Sequence, residues 1–477
     1  MSYLDLSIHE IHEALISKKV TPLELVQEAL NRAKENTDNA FEYIMEKEAL
    51  DMASRLGEPT DDVLWGIPFA IKDNISTKDV PTSASSHILD GYIPLFNATV
   101  VSKLIARGAI PIAKTTLDEL GMGGTGTTGR RGKTYNPLDK THTRMIGGSS
   151  SGSAAAVAAR IVPFALGSDT GDSVRKPASY AGLVGFKPTW GRISRFGLFP
   201  FAPSLDHIGY FTKNILDSSL LLETLSGRDK NDSTSSTREV EQYSDCIAKS
   251  VDGMRVAIIK EIIDSINDTD ITSKFYETVD YLKSLGVLVD IVSIDPTLLK
   301  AIYPTYIVIS SSEATSNDAN LDGIKFGPRF EGNTYEEVMK KARTAGFSEL
   351  IKRRFVIGSY ALLAENQEVL FLRAQKARRM IVNEIDKIFE KYDFIYLPAA
   401  PTIAPKFEGS SDKLSSEYLI ADNHLAIGNF GGYPSLTLPI GFKDDMPFGA
   451  NITGKHFEEG KVFQISYMIE KFIKEGK

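Results

Sequence analysis

Cysteine is almost absent from this chain. Cys246 stands alone among 477 residues, which excludes an internal disulfide framework and any metal site built from several thiolates, and points to a reducing compartment. Basic residues are in deficit. With 54 Lys+Arg against 62 Asp+Glu the formal charge is −8, so the surface repels phosphate backbones, and a nucleic acid, if one is involved, is gripped by another chain. No stretch approaches the ~18 uninterrupted apolar residues of a membrane span, and the opening MSYLDLSIHEIHEALI carries no basic segment ahead of an apolar core. The expectation is a soluble cytoplasmic protein with no membrane contact, or an organellar-matrix protein after loss of a transit peptide. The seven histidines form no HExxH pair, a Walker A loop is lacking, and GxSxG is met only by the letters of Gly148 to Gly152 within a Ser/Gly-rich run. Zinc hydrolysis, Ser-His-Asp catalysis and phosphate binding by such a loop therefore have no support.

What is present fits a globular α/β protein, with 42% hydrophobic and 24% charged residues. Ser7 and Glu10, then Thr21, Pro22 and Glu24, form two capping-box patterns, each followed by apolar residues at helical spacing. A helix over residues 98–106, a stop at Gly108 and an apolar run over 109–113 make a helix-to-strand unit. The unit recurs around Gly286, where Val279 and Leu282 precede residues 287–292, and again where Ile381, Ile385 and Ile388 precede residues 394–397. Strands alternating with helices predict a parallel or mixed central β-sheet with helices on both faces. Polar residues 227–236, GRDKNDSTSS, mark an exposed loop or subdomain boundary within 227–250.

Three segments carry candidate chemistry. The first, LWGIPFAIKDNI from Leu64, places Lys72 at the end of a strand-like apolar run. Burial there lowers a lysine's pKa towards neutrality and makes it a base, whereas an end position also allows its head to reach solvent. The second, GGSSSGSAAAVAA from Gly147, and the third, GSDTGDSVRKPASYAG from Gly167, bring serines together with glycines. Such clusters serve close packing and tight turns as readily as catalysis. The stretch GTGTTG from Gly124 matches a dinucleotide fingerprint literally, but it neither follows a strand pattern nor enters a helical one.

Taken together the three segments resemble the signature of the amidase-signature family. The resemblance implies a single large amidase-signature domain over residues 1–477, with the signature core at about 64–215. It further implies a Ser-Ser-Lys triad: Ser173 as nucleophile, Ser149 as bridging serine behind a cis peptide bond, and Lys72 as base, with the backbone N–H groups of Thr170, Gly171 and Asp172 beside Ser173 forming an oxyanion hole. Two departures stand out. The family's Gly-Gly-Ser is Gly171-Asp172-Ser173 here, and the Gly-Gly after its paired serines is Ser151-Gly152. Aspartate tolerates positive φ better than most residues, and its carboxylate is expected to turn towards Arg175 or Lys176.

Within the family the resemblance is closest to the A subunits of the glutamyl-tRNA(Gln) and aspartyl-tRNA(Asn) amidotransferases. It runs from NATVVSKLIARGAIPIAKTTLDELGMG to FGANITGKHFEEGKVFQISY, nearly the whole chain. It implies hydrolysis of glutamine to ammonia. Arg354 in Lys352-Arg353-Arg354 would bind the substrate α-carboxylate, Asp422 its α-ammonium, and Tyr306 would line the pocket. No cofactor and no metal is expected on this chain. A B-type partner subunit would bind the tRNA and use ATP and Mg²⁺, and a small C-type subunit would wrap the pair. The rival readings are a stand-alone amidase acting on another small carboxamide and a catalytically silent scaffold.

Overall fold

The computed structural model describes residues 2–408 and 420–476. The two capping boxes form as the sequence predicts. Ser7 caps the helix Ile8–Ile16 and Thr21 caps Pro22–Glu35, each hydroxyl accepting from the N3 backbone while the N3 glutamate accepts from the cap backbone. Their apolar stripes, including Ile8, Ile11, Leu25 and Leu30, are fully buried.

Among the described residues the core is one eleven-stranded sheet. Its strands are β1 (Phe41–Ile44), β2 (Pro68–Lys72), β3 (Ile110–Thr115), β4 (Phe164–Asp169), β5 (Val184–Lys187), β6 (His207–Thr212), β7 (Arg255–Ile259), β8 (Leu288–Val292), β9 (Phe394–Pro398), β10 (Ser435–Lys443) and β11 (Met446–Gly454). The spatial order is β1-β3-β2-β4-β6-β5-β10-β11-β9-β7-β8. β2 runs parallel to both β3 and β4, and β7 to both β8 and β9, while the strands between these groups pair antiparallel. The sheet is mixed. Every residue of β2, β3, β4 and β11 is buried, and because successive side chains point to opposite faces, both faces are covered there. Coverage ends at the β8 edge, where Leu288 and Ile291 are more than half exposed.

The predicted helix-to-strand units are all found. Thr99–Ala106 leads through Gly108, at φ +84°, into β3; Thr269–Ser284 leads through Gly286 into β8; Arg373–Phe389 leads into β9. The Ser/Gly-rich run 147–153 enters the buried helix Ser151–Ala158. A Cβ on Gly152 would come within 2.3 Å of the Ala40 carbonyl and 2.6 Å of the Thr116 nitrogen, so the helix sits closer to its neighbours than any larger residue permits. The polar segment 227–236 bonds inward. Asp229 accepts from Ser194 Oγ at 2.7 Å, Asp232 accepts from the Arg195 N–H at 2.8 Å, and Ser236 N–H donates to the Gly191 carbonyl. No helix among the described residues is long and apolar enough to cross a membrane.

Candidate active site

The parallel strands β2 and β4 lie side by side with Ile71 opposite Leu166, so their C-terminal ends open on one place. Lys72 is the last residue of β2. It is fully buried, and its Nζ donates to Ser149 Oγ at 2.8 Å, Ser150 Oγ at 2.9 Å and Ser168 Oγ at 2.9 Å. Burial pulls its pKa down to about 7, against the opposing pull of the Asp118, Asp169 and Asp206 carboxylates. A lysine that ionises near neutrality and touches serine hydroxyls is equipped to exchange protons with them.

The two serine segments meet through their backbones. Ser150 N–H donates to the Ser173 carbonyl at 3.2 Å, and Ser173 is 3% exposed. The Gly148-Ser149 peptide is cis, as the family resemblance implies. Ser149 is held from behind, its carbonyl accepting from the Asp118 N–H at 3.1 Å.

Asp118 also explains the GTGTTG stretch. Its carboxylate receives the N–H groups of Thr125, Gly126, Thr127 and Thr128 at 3.0–3.1 Å and the Thr128 hydroxyl at 2.9 Å. Convergent backbone N–H groups make an anion-binding cradle, and the protein's own carboxylate fills this one. A Cβ on Gly148 would fall 2.0 Å from Asp118 Oδ2 and one on Gly123 2.4 Å from Asp118 Cγ, so the glycines make room for the acid.

The loop following β4 is fixed by buried charge. Arg175 grips the Asp169 carboxylate with Nε at 3.1 Å and Nη2 at 2.9 Å, and donates to the Gly171 carbonyl at 2.8 Å and to Asn429 Oδ1 at 2.6 Å. Asn429 in turn donates to the Asp169 carbonyl at 3.0 Å. Thr170 Oγ1 donates to Asp206 Oδ1 at 2.6 Å, and Asp206 accepts the Phe201 and Ala202 N–H groups at 3.0 Å.

At Asp172 the sequence argument from positive φ does not apply, since neither Gly171 nor Asp172 adopts one. At Gly171 space is tight, a Cβ lying 3.0 Å from the Tyr306 ring, which favours glycine there. Of the two expected partners, Lys176 takes the Asp172 carboxylate, at 2.9 Å, because Arg175 is committed to Asp169. At the second departure from the family, Ser151 is buried and its hydroxyl lies 3.0 Å from Thr134 Oγ1.

Residues from the later half of the chain close the site. Tyr306 comes from the helix Ile302–Asn317 and Arg354 from Glu349–Leu362; with Gly171, Asp172, Asn423 and Ala426 they line a narrow cleft. Arg354 is 7% exposed, and its Nε and Nη1 have no hydrogen-bond partner among the described residues. Asp422, in the short helix Ile420–Asn423, is not among the lining residues, although its neighbour Asn423 is. The Asp422 carbonyl accepts from Lys176 Nζ at 2.5 Å. Sequence reasoning missed Asp118, Ser168, Asp206 and Asn429: Ser168 and Asn429 meet partners far away in the chain, while Asp118 and Asp206 bind nearby loops through contacts that follow no regular spacing.

The chain belongs to the amidase family, whose model matches residues 24–463. It is 40% identical to the A subunit of the glutamyl-tRNA(Gln) amidotransferase from Listeria welshimeri over 478 aligned positions, covering 99% of this chain and 98% of that protein. It is 41% identical to the protein of the same name from Staphylococcus epidermidis, covering 97% and 96%. Among solved structures, the glutamyl-tRNA(Gln) amidotransferase A subunit of Thermotoga maritima superposes with a TM-score of 0.79 at 35% identity, over 99% of this chain and 95% of that one. The peptide amidase of Stenotrophomonas maltophilia has a TM-score of 0.84 at 24% identity, over 99% and 98%, and shares the fold.

Proposed function

We propose that this chain is the glutamine-hydrolysing component of a tRNA-dependent amidotransferase. The observation that carries the reading is Arg354. A buried guanidinium with two nitrogens, Nε and Nη1, unpartnered among the described residues is costly, and in a cleft lined by the loop that leads to Ser173 it suits a substrate carboxylate gripped through a planar fork. Full-length identity of 40% to proteins named as amidotransferase A subunits supports the same substrate.

In this reading neutral Lys72 takes the proton of Ser149 as Ser149 takes that of Ser173, and Ser173 Oγ attacks the side-chain carboxamide carbon of glutamine. The tetrahedral oxyanion is met by the backbone N–H groups of Thr170, Gly171, Asp172 and Ser173, each donor worth ~3–4 kcal/mol. The C–N bond then breaks, the relay returns its proton to the departing nitrogen, and ammonia leaves. Water, deprotonated by the same relay, releases glutamate from Ser173. The 2.8 Å contact between Lys72 and Ser149 and the near-neutral pKa of Lys72 support the first step. Tyr306 walls the pocket, Arg354 takes the α-carboxylate and Asp422 serves the α-ammonium. Residues 1–477 act as one amidase-signature domain, whose core at about 64–215 does the chemistry.

Ammonia passes to a B-type partner that holds the tRNA and activates its glutamyl or aspartyl group with ATP and Mg²⁺, and a small C-type subunit completes the assembly. This chain itself needs no cofactor, and it works in the cytoplasm. The test is to assay glutamine beside a neutral aliphatic amide, with wild type and Ser173→Ala, in the complex. Wild type should strongly prefer glutamine, and Ser173→Ala should abolish glutamine-dependent amidation while ammonium salt still supports it. Preference for the aliphatic amide would favour a stand-alone amidase, and unchanged glutamine hydrolysis in Ser173→Ala would remove Ser173 from the mechanism.

A further inference from the structure

The loop 200–206, which runs into β6, has only turns and bends of its own to hold it. Pro200 and Pro203 within it have no backbone N–H to give. Yet this loop ends in Asp206, whose carboxylate accepts the Thr170 hydroxyl at 2.6 Å and so anchors the loop that leads to Ser173. An irregular segment is a mobile footing for such an anchor unless neighbouring elements fix it.

Two helices pin it at Ser204. From the helix Ile302–Asn317, Glu313 accepts the Ser204 N–H at 2.9 Å and the Ser204 hydroxyl at 2.5 Å. From the helix Arg373–Phe389, Arg378 donates to Ser204 Oγ at 2.9 Å through Nη1 and to the Ser204 carbonyl at 3.0 Å through Nη2. The hydroxyl has one hydrogen, so it accepts from the guanidinium and donates to the carboxylate, and its direction is fixed. Asn317 adds a bond to the Phe201 carbonyl at 3.2 Å, and Arg195 donates to the Pro203 carbonyl. Glu313 shares a helix with Tyr306, about two turns before it, so one helix meets Gly171 with a ring and Ser204 with a carboxylate.

The remaining arm of Arg378, Nε, donates to the Phe430 carbonyl at 2.9 Å, in the short helix Ile427–Phe430. The neighbouring Asn429 is the second support of the same loop, donating to the Asp169 carbonyl at 3.0 Å and also to the Leu205 carbonyl at 3.2 Å. One planar fork therefore spans both segments that hold residues 169 and 170 from outside. Neither Arg378 nor Glu313 lines the cleft. What they govern is the placement of the backbone N–H groups that follow Asp169, and donors aimed at an oxyanion act in the transition state rather than on the bound substrate.

Resting on the reading of residues 170–173 as the oxyanion loop, we propose that Arg378, with Glu313 as its counter-charge, is a positioning residue that aligns the oxyanion donors by holding Ser204 and Phe430 in register.

The test measures kcat and KM for wild type, Arg378→Met, Glu313→Gln, Thr170→Val and the double variant Arg378→Met/Thr170→Val, in complex with the partner subunits. The amide is whichever of glutamine and butyramide wild type turns over faster, and Ser173→Ala is the control. Arg378→Met keeps the aliphatic stem and drops the fork; it should lose on the order of 100-fold in kcat and equally in kcat/KM, with KM little changed. Glu313→Gln loosens Ser204 from the other helix and should show the same split to a smaller degree, which keeps the test open should Arg378→Met fail to fold. Thr170→Val cuts the link to Asp206 while keeping the backbone N–H at 170, so the double variant should lose less than the product of the two single losses. A loss carried by KM, unchanged kinetics in both Arg378→Met and Glu313→Gln, or single losses that multiply in the double variant would overturn the proposal. With Ser173→Ala inert, those outcomes strike this proposal alone; an active Ser173→Ala would overturn the nucleophile reading and this proposal with it.

Discussion

The reaction should switch on with the loss of one proton, that of Lys72. A lysine of ordinary basicity, at 10.5, has only about one molecule in 3,000 neutral at pH 7, whereas burial brings this one to about 7, where half the molecules carry a free lone pair. Below that value the ammonium has no lone pair with which to accept the Ser149 proton. The free enzyme's kcat/KM for glutamine should therefore fall about tenfold for each pH unit below ~7 and level off above it. Steady-state ammonia release, measured from about pH 5.5 to about pH 9, reads this limb. Lys72→Ala should lower turnover by several orders of magnitude at every pH and lose the limb. Lys72→Arg should fail as well, because a guanidinium does not deprotonate in a protein. A limb centred near 10, a flat profile, or near-normal turnover by Lys72→Arg would refute the assignment of Lys72 as the base.

Two further outcomes follow from the same geometry. Arg354→Ala and Asp422→Ala should each raise the KM for glutamine by roughly 100-fold while sparing ammonia-dependent amidation by the complex, since a charged substrate group loses its partner; unchanged glutamine kinetics in both would remove these residues from substrate binding. Asp118→Asn should lower stability by about 2–4 kcal/mol, seen as a lower urea midpoint, because one oxygen that accepts from several N–H groups becomes an amide donor facing them. A wild-type midpoint would mean that the 124–128 loop holds itself.

Local chemistry was the legible part of the molecule. Capping boxes act over three residues and helix-to-strand units over about twenty, so Ser7, Thr21, Gly108 and Gly286 disclosed their roles directly. Lys72 could be picked out because its apolar neighbours predicted burial, and Ser149 and Ser173 because their segments resemble a known signature. What holds these residues in place was hidden. Asn429 touches Asp169 across 260 positions and Arg378 donates to Ser204 across 174; contacts of that reach are set by strand order, which no periodicity encodes. The GTGTTG loop was read as no nucleotide fingerprint from its flanks alone, and the carboxylate that it holds, six residues upstream, could be seen only once the chain had closed around it. At Asp172 the argument from a tolerated positive φ found no application, because the loop does not take that conformation at this position.

The site is assembled from both halves of the chain, and this bears on the order in which a newly made protein acquires its properties. Lys72, Ser149 and Ser173 all emerge within the first 173 residues, but Tyr306, Arg354 and the Asp422 helix come much later, and β10, which pairs with β5, spans Ser435–Lys443. During synthesis the sheet is therefore left open beside the serine loop until almost the last strand arrives. A chain released early by truncation or proteolysis would hold the signature residues without the clamp of Arg175 on Asn429, and without a pocket to choose a substrate. Ammonia is a diffusible and reactive product, and a fold that completes its catalytic loop and its selectivity with the same late segments ties the two together in time.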